Sequence, residues 1–224
     1  MWQKLHAENQ DRNFTIVTLA MDSLEAARPW IEAVSPTYPC LIDQDHRVAE
    51  LYNMVNVPQA VWIDERGVIA RPPENAGSSD AFRFMDRETK QMTEAQLAER
   101  ENMKLGYVDA VQDWIVKGNN SEHALDARAV QSRVRLPNDD TALAHAHFQL
   151  ARYLLRRGNI RQATMHFAKA SELHPQSWNI WRQAADKDET GLAVGPDFWA
   201  RVDALGDKPY HLPIDMRGIS SGGS

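Results

Sequence analysis

Residues 13–20, Asn-Phe-Thr-Ile-Val-Thr-Leu-Ala, form a β-branched apolar run that predicts a strand. Asp22-Ser23 then offers an N-cap for a helix over 24–34. Pro29 removes an amide donor from that helix and predicts a kink, or a late start near Arg28. A second apolar run, Tyr38 to Ile42, ends at Asp43, and apolar residues at 48, 51, 52 and 55 have helical spacing. Pro58 opens a third run, Ala60-Val61-Trp62-Ile63, which Glu65-Arg66-Gly67 turns back into Val68-Ile69-Ala70. Strand, helix, strand, helix and hairpin make an α/β pattern, with the near-continuous apolar strands of a sheet covered on both faces.

The segment from Pro72 to Asp80 breaks this pattern and predicts an extended loop, after which the chain turns helical. Thr93-Glu94-Ala95-Gln96 reads as a capping box. It precedes an apolar stripe of Tyr107, Val108, Val111, Trp114 and Ile115 that stops at Gly118-Asn119-Asn120. Residues 121–140 are polar and predict irregular chain, with Leu136 to Asp140 as a linker ending at a helix cap. Helices are expected over about 141–157 and 160–174, joined by Gly158-Asn159. Gly218 to Ser224 reads as a disordered tail of small residues. The expected division is therefore 1–72, an α/β unit; 73–140, a helical connector; 141–185, a helical pair; and 186–224, an extension and tail.

Composition narrows the classes. Of 224 residues, 43% are hydrophobic and 25% charged, as in ordinary globular domains. A net charge of -6, from 25 basic and 31 acidic residues, argues against a surface that tracks phosphates, so no nucleic-acid partner is expected. No apolar run approaches the ~20 residues of a membrane helix, and Met1 to Glu8 lacks the apolar core of a secretory signal. The expectation is a cytoplasmic protein without a membrane partner.

Candidate chemistry is sparse. One cysteine, Cys40, excludes an intramolecular disulfide framework and a multi-cysteine zinc site. His145 and His147 are two apart and diverge on a helix, while His166 and His174 are two turns apart. With no His-x-x-x-His spacing, neither a metal nor a cofactor is expected. No Gly-x-Ser-x-Gly elbow or glycine-rich phosphate loop occurs, and Ser220-Ser221 sits in the tail. Arg152, Arg156, Arg157 and Arg161 cluster about the turn between the last two helices, either as a solvated face or as a site for an acidic peptide partner.

Ala151, Ala163, Phe167, Ala170 and Pro175 have the spacing of the small, small, aromatic, small and proline positions of a tetratricopeptide repeat, whose period is about 34 residues. Trp181 and Ala185 fall where a following repeat would begin, so this region resembles one repeat and the start of another. A plain helical hairpin is the alternative. Residues 1–72 resemble the redoxin group of the thioredoxin-like superfamily, especially the bacterial thiol-disulfide oxidoreductases. The matching pieces are Phe14 to Asp22, Tyr38 to Asp43, His46 to Tyr52, and above all Val55-Asn-Val-Pro-Gln-Ala-Val-Trp-Ile-Asp64 with Arg66-Gly67. The resemblance implies an α/β thioredoxin-like sheet, followed here by the tetratricopeptide-like helices, and a cis bond before Pro58. It also implies thiol-disulfide or peroxide redox chemistry, in which a thiolate attacks a disulfide and the mixed disulfide lies against the proline loop.

The redoxin relatives carry Cys-x-x-Cys at the start of their first long helix, after a central strand. Met1 to Glu8 reads as the tail of that helix, so a degenerate or N-terminally truncated member with an incomplete sheet is expected. An open sheet invites pairing with a second copy, so either self-association or a loosely ordered N-terminal half is expected. Cys40 falls where relatives place an aliphatic residue. It is expected to be a packing residue, with a peroxidatic or resolving thiol as the alternative. Asn56, Val57 and Pro58 are the expected binding loop for a protein or peptide partner. The competing functions are a non-catalytic interaction scaffold and an unrelated activity hosted on the same fold.

Overall fold

The computed structural model describes residues 1–219. Helix α1 (Trp2–Glu8) leads into two parallel three-residue strands, β1 (Thr18–Ala20) and β2 (Cys40–Ile42), with α2 (Leu24–Val34) between them. Their register is Thr18 opposite Cys40 and Ala20 opposite Ile42. A short α3 (Arg47–Leu51) precedes the antiparallel hairpin of β3 (Gln59–Ile63) and β4 (Ile69–Asn75). Then come α4 (Glu94–Lys117), α5 (Ala127–Arg133), α6 (Asp139–Arg156), α7 (Ile160–Leu173), α8 (Trp178–Ala184) and α9 (Pro196–Asp203). No described helix is long and apolar enough to cross a membrane.

The single sheet expected from the strand runs is, among the described residues, two separate two-stranded sheets. Only three residues of the 13–20 run join a ladder, because Phe14 and Ile16 pack against the main core instead. Helix α2 begins where Ser23 caps Ala26 N and runs through Pro29 without a late start, giving up the one hydrogen bond that proline cannot donate. The expected loop from Pro72 is strand as far as Asn75. Trp62 pairs with Arg71 and Ala60 with Glu74, so Pro72 and Pro73 occupy a bulge where the ladder needs no amide. The irregular stretch 121–140 contains α5, which Asp126 caps through Ala129 N. The extension holds α9, opened by Pro196. In the expected tail, Ile219 pairs with Met216, and Ser220 to Ser224 lie outside the described residues.

The main core joins the hairpin to α4. Trp62, Ala70, Met103, Tyr107 and Val111 pack with Leu5 of α1 and with Ile214 and Met216 from the far end of the chain. Trp62 stacks on Trp114 with centroids 5.2 Å apart and donates its indole N–H to Tyr107 Oη at 2.9 Å. Burial raises the Tyr107 phenol above its ordinary pKa, so it stays a neutral partner. Gly77 has φ +85° and lies so close to α4 that a Cβ there would sit 2.9 Å from Tyr107 Cβ. Beside this core Arg71, 1% exposed, bonds Glu74 through two nitrogens at 2.6 and 3.0 Å and donates to the carbonyls of His123 and Asp215.

The α6–α7 pair has its own core. Ala144, Ala151, Ala163 and Ala170 are small enough to bring the helices together, and Phe148 and Phe167 meet edge to face between them at 5.6 Å. This pair docks on the N-terminal unit through the segment between β2 and α3. Gln149 Nε2 donates to Asp45 O at 2.8 Å, Arg156 meets the Asp45 carboxylate, and His46 packs on Phe148 at 4.8 Å. His46 Nε2 faces Met21 O at 3.0 Å.

Two predictions follow from this packing. Arg71→Met strands the Glu74 carboxylate in the interior and should cost about 3–5 kcal/mol in denaturant unfolding, against a smaller loss for Arg71→Met with Glu74→Met. Burial, with Arg152 adding to it, pushes the His46 imidazole down to about 4, against the opposing Met21 carbonyl, Asp43 and Asp22. The unfolded imidazole protonates near the ordinary ~6.5 and the folded one only near 4, so its stabilisation is complete above pH ~6.5 and is lost as pH falls toward 4. The loss should be about 3 kcal/mol, and His46→Asn, which tolerates the φ of 55° there, should flatten the slope.

Candidate functional site

The loop Asn56–Val57–Pro58 joins α3 to β3, and its Val57–Pro58 peptide bond is cis. Its amides are held by side chains: Gln59 Oε1 accepts Val55 N at 2.9 Å, and Asn56 Oδ1 accepts Val57 N at 2.9 Å. Asn56 is 5% exposed and spends its amide nitrogen on Tyr210 O at 3.1 Å, while its Oδ1 also accepts from Arg182. Helix α8 grips the same loop, with Asn179 donating to the carbonyls of Val55 and Met54. Asn56 is thus a buried anchor, whereas Val57 and Pro58 face outward.

An aromatic wall rises beside the loop. Tyr210 packs on Trp178 at 4.5 Å and edge-on to Phe82 at 4.9 Å, and its hydroxyl accepts from Arg182. The Asp80 carboxylate fixes the strand-like turn beneath, accepting Tyr210 N at 2.6 Å and His211 N at 2.9 Å. Trp199 of α9 carries the Arg87 guanidinium on its face at 4.6 Å. Between Val57, Phe82, Phe198, Trp199, Tyr210 and His211 lies an open cleft of about 350 Å³. Burial pushes His211 down to about 4, with Arg182 adding to it and Asp80 opposing, so a neutral imidazole lines the cleft at pH 7. An apolar floor with one neutral imidazole suits an apolar or aromatic group with one polar neighbour.

Cys40 does not line this cleft. Its half-buried thiol accepts from Thr18 Oγ1 at 3.1 Å across the β1–β2 ladder and lies 3.6 Å from Tyr38 O. Of the arginine cluster, Arg152 and Arg156 both approach Asp45, at 3.7 and 2.5 Å, and so help seat the helical pair. Arg157 lies over Tyr153, and Arg161 is exposed at the start of α7. Among the described residues no three His, Cys, Asp or Glu side chains converge as a metal site. Sequence reasoning passed over Phe82, Phe198, Trp199 and His211; the crowding of aromatics between Trp178 and Tyr210 was the available signal.

Residues 1–71 match the AhpC/TSA family. That span covers α1 through β3 and the first three residues of β4, and includes the Asn56–Val57–Pro58 loop. It supports a redoxin, thioredoxin-like relationship for this third of the chain and, at that coarse level, a peroxiredoxin-type redox function. Neither a curated protein nor a solved structure matches the chain.

Because Asn56 serves Tyr210, Arg182 and its own loop together, Asn56→Ala should destabilise the fold by about 1–3 kcal/mol. Denaturant unfolding measures that loss, and near-ultraviolet circular dichroism should report loosening of the Trp178–Tyr210 cluster.

Proposed function

We propose that the chain is a thioredoxin-like protein of the peroxiredoxin type, degenerate in its redox chemistry or N-terminally truncated, that binds an extended protein or peptide client. The client lies along the Asn56–Val57–Pro58 loop and places an apolar or aromatic side chain in the adjoining cleft. One observation carries this reading: exposed Val57 forms the rim of the same cavity that Phe82, Phe198 and Trp199 wall. A docked side chain there would be desolvated by aromatic surface, the usual seat of binding energy, while the loop meets the client backbone. Thiolate exchange needs an attacking sulfur at the client, and the one thiol of this chain does not line the cleft. The residues at the cleft therefore hold the client and supply no thiolate to it.

A second reading, a non-catalytic scaffold built on a tetratricopeptide-like pair, is favoured by the exposure of Leu143, Leu150 and Tyr153 along α6. Titration with fluorescent extended peptides, bearing a central Leu, Phe or Trp, separates the two. Client binding at the cleft should weaken roughly tenfold or more in Val57→Asp and Trp199→Ala, and Cys40→Ser should leave it unchanged. Insulin reduction by dithiothreitol should run equally fast with and without the protein. Peptide binding indifferent to both cleft variants favours the scaffold, and turnover lost in Cys40→Ser overturns the binder reading.

A further inference from the structure

Two histidines from different helices meet on the α6–α7 pair. His147 Nδ1 lies 2.7 Å from His166 Nδ1, with the rings inclined by 29° and centroids 5.0 Å apart. Within one helix these residues have no chelating neighbour, since His145 diverges from His147 and His174 lies two turns beyond His166. The antiparallel packing creates the pair. His147 precedes Phe148, and His166 precedes Phe167, so the interlocked phenylalanines fix both imidazoles in register. The alanines at the interface, 0–1% exposed, leave the helices little freedom to slide.

At 2.7 Å one Nδ1–H donates to the other Nδ1, and release of that shared proton leaves two neighbouring nitrogens that a metal ion can bridge. Metal–imidazole bonds of about 2.0–2.1 Å place two cis nitrogens about 2.9 Å apart at a right-angled centre and about 3.3 Å apart at a tetrahedral one. The hydrogen-bonded separation of 2.7 Å has to open by only about 0.2 Å to reach the right-angled arrangement that Cu²⁺ and Ni²⁺ prefer. Both rings are half-buried, so water can reach the remaining coordination positions. We propose that His147 and His166 form a two-histidine clip for a square-planar divalent ion, Cu²⁺ above all, that bridges α6 and α7. No third His, Cys, Asp or Glu joins them among the described residues, so the ion is exchangeable and water-capped. His145 and His174, edge to face at 6.0 Å, do not present paired nitrogens in this way.

Titration of the metal-free full chain with Cu²⁺ at neutral pH, followed by electron paramagnetic resonance, tests the clip. The spectrum should saturate at one ion per chain, with hyperfine structure from two nitrogens. His147→Gln and His166→Gln should each weaken binding roughly tenfold or more, and His145→Gln should not. Should either glutamine variant unfold by circular dichroism, histidine ring resonances of the unaltered protein decide instead: Zn²⁺ should shift those of His147 and His166 and leave His145 and His174 in place. Absence of saturable binding, copper retained by folded His147→Gln and His166→Gln proteins, or Zn²⁺ shifts at other histidines would overturn the proposal.

Discussion

A charge taken out of water must be surrounded by acceptors, and Arg71 imposes that demand on its own strand and on two distant parts of the chain. Its guanidinium has a carboxylate from its own strand, a carbonyl from the segment after α4 and a carbonyl from the C-terminal extension. Trp62 covers it, with the guanidinium carbon 5.6 Å from the ring centroid. Leaving any of these donors unmet in the interior would cost more than the local chain could recover. The hairpin, the end of α4 and the extension are therefore held in one arrangement, and the Trp62–Tyr107–Trp114 packing grows around it.

The cleft is a consequence of the same return of the chain. Once Ile214 to Met216 reach the main core, the residues just before them pass the cis-proline loop. Asp80 then accepts from the two successive amides of Tyr210 and His211, and Asn56 donates its side-chain amide to the Tyr210 carbonyl from the other side. A polar framework thus lies beneath an apolar surface. The hydrogen-bonded layer sets the orientation of the rings, and the rings supply the concavity. Arg182 links the layers, touching Asn56 and the Tyr210 hydroxyl together.

Local signals in the sequence translate well where a single turn decides the outcome. Ser23 and Thr93 cap the helices that their positions suggest, and Gly118 ends α4 where the apolar stripe stops, while α6 is capped at Asn138, inside the stretch that reads as linker. The cis bond at Pro58 was expected from the resemblance of Val55 to Asp64 to the redoxin group. Features that depend on distant neighbours were not. Pro72 and Pro73 looked like breakers because their bulge exists only opposite β3, and α5 was hidden in polar sequence because it buries only Val130. All of the cleft but Val57 comes from residues 82–85 and 194–211, which share no period with the loop that they face. Arg152 and Arg156 illustrate the same limit: as text they are a basic cluster, and in space they answer Asp45. The histidines are the clearest case, since spacing along one helix cannot reveal a pairing across two.

The carbonyl of Asp215 that Arg71 requires lies 144 residues further along the chain. During translation at ~5–20 residues per second, Arg71 emerges roughly 7–30 s before that partner exists. Over that interval the nascent hairpin carries a cation that cannot be buried, so its strands stay hydrated while the helices behind them are made. Completion of the hairpin is thereby deferred until the chain through Asp215 has been synthesised, and a product cut short before that residue would carry a hairpin that had never closed.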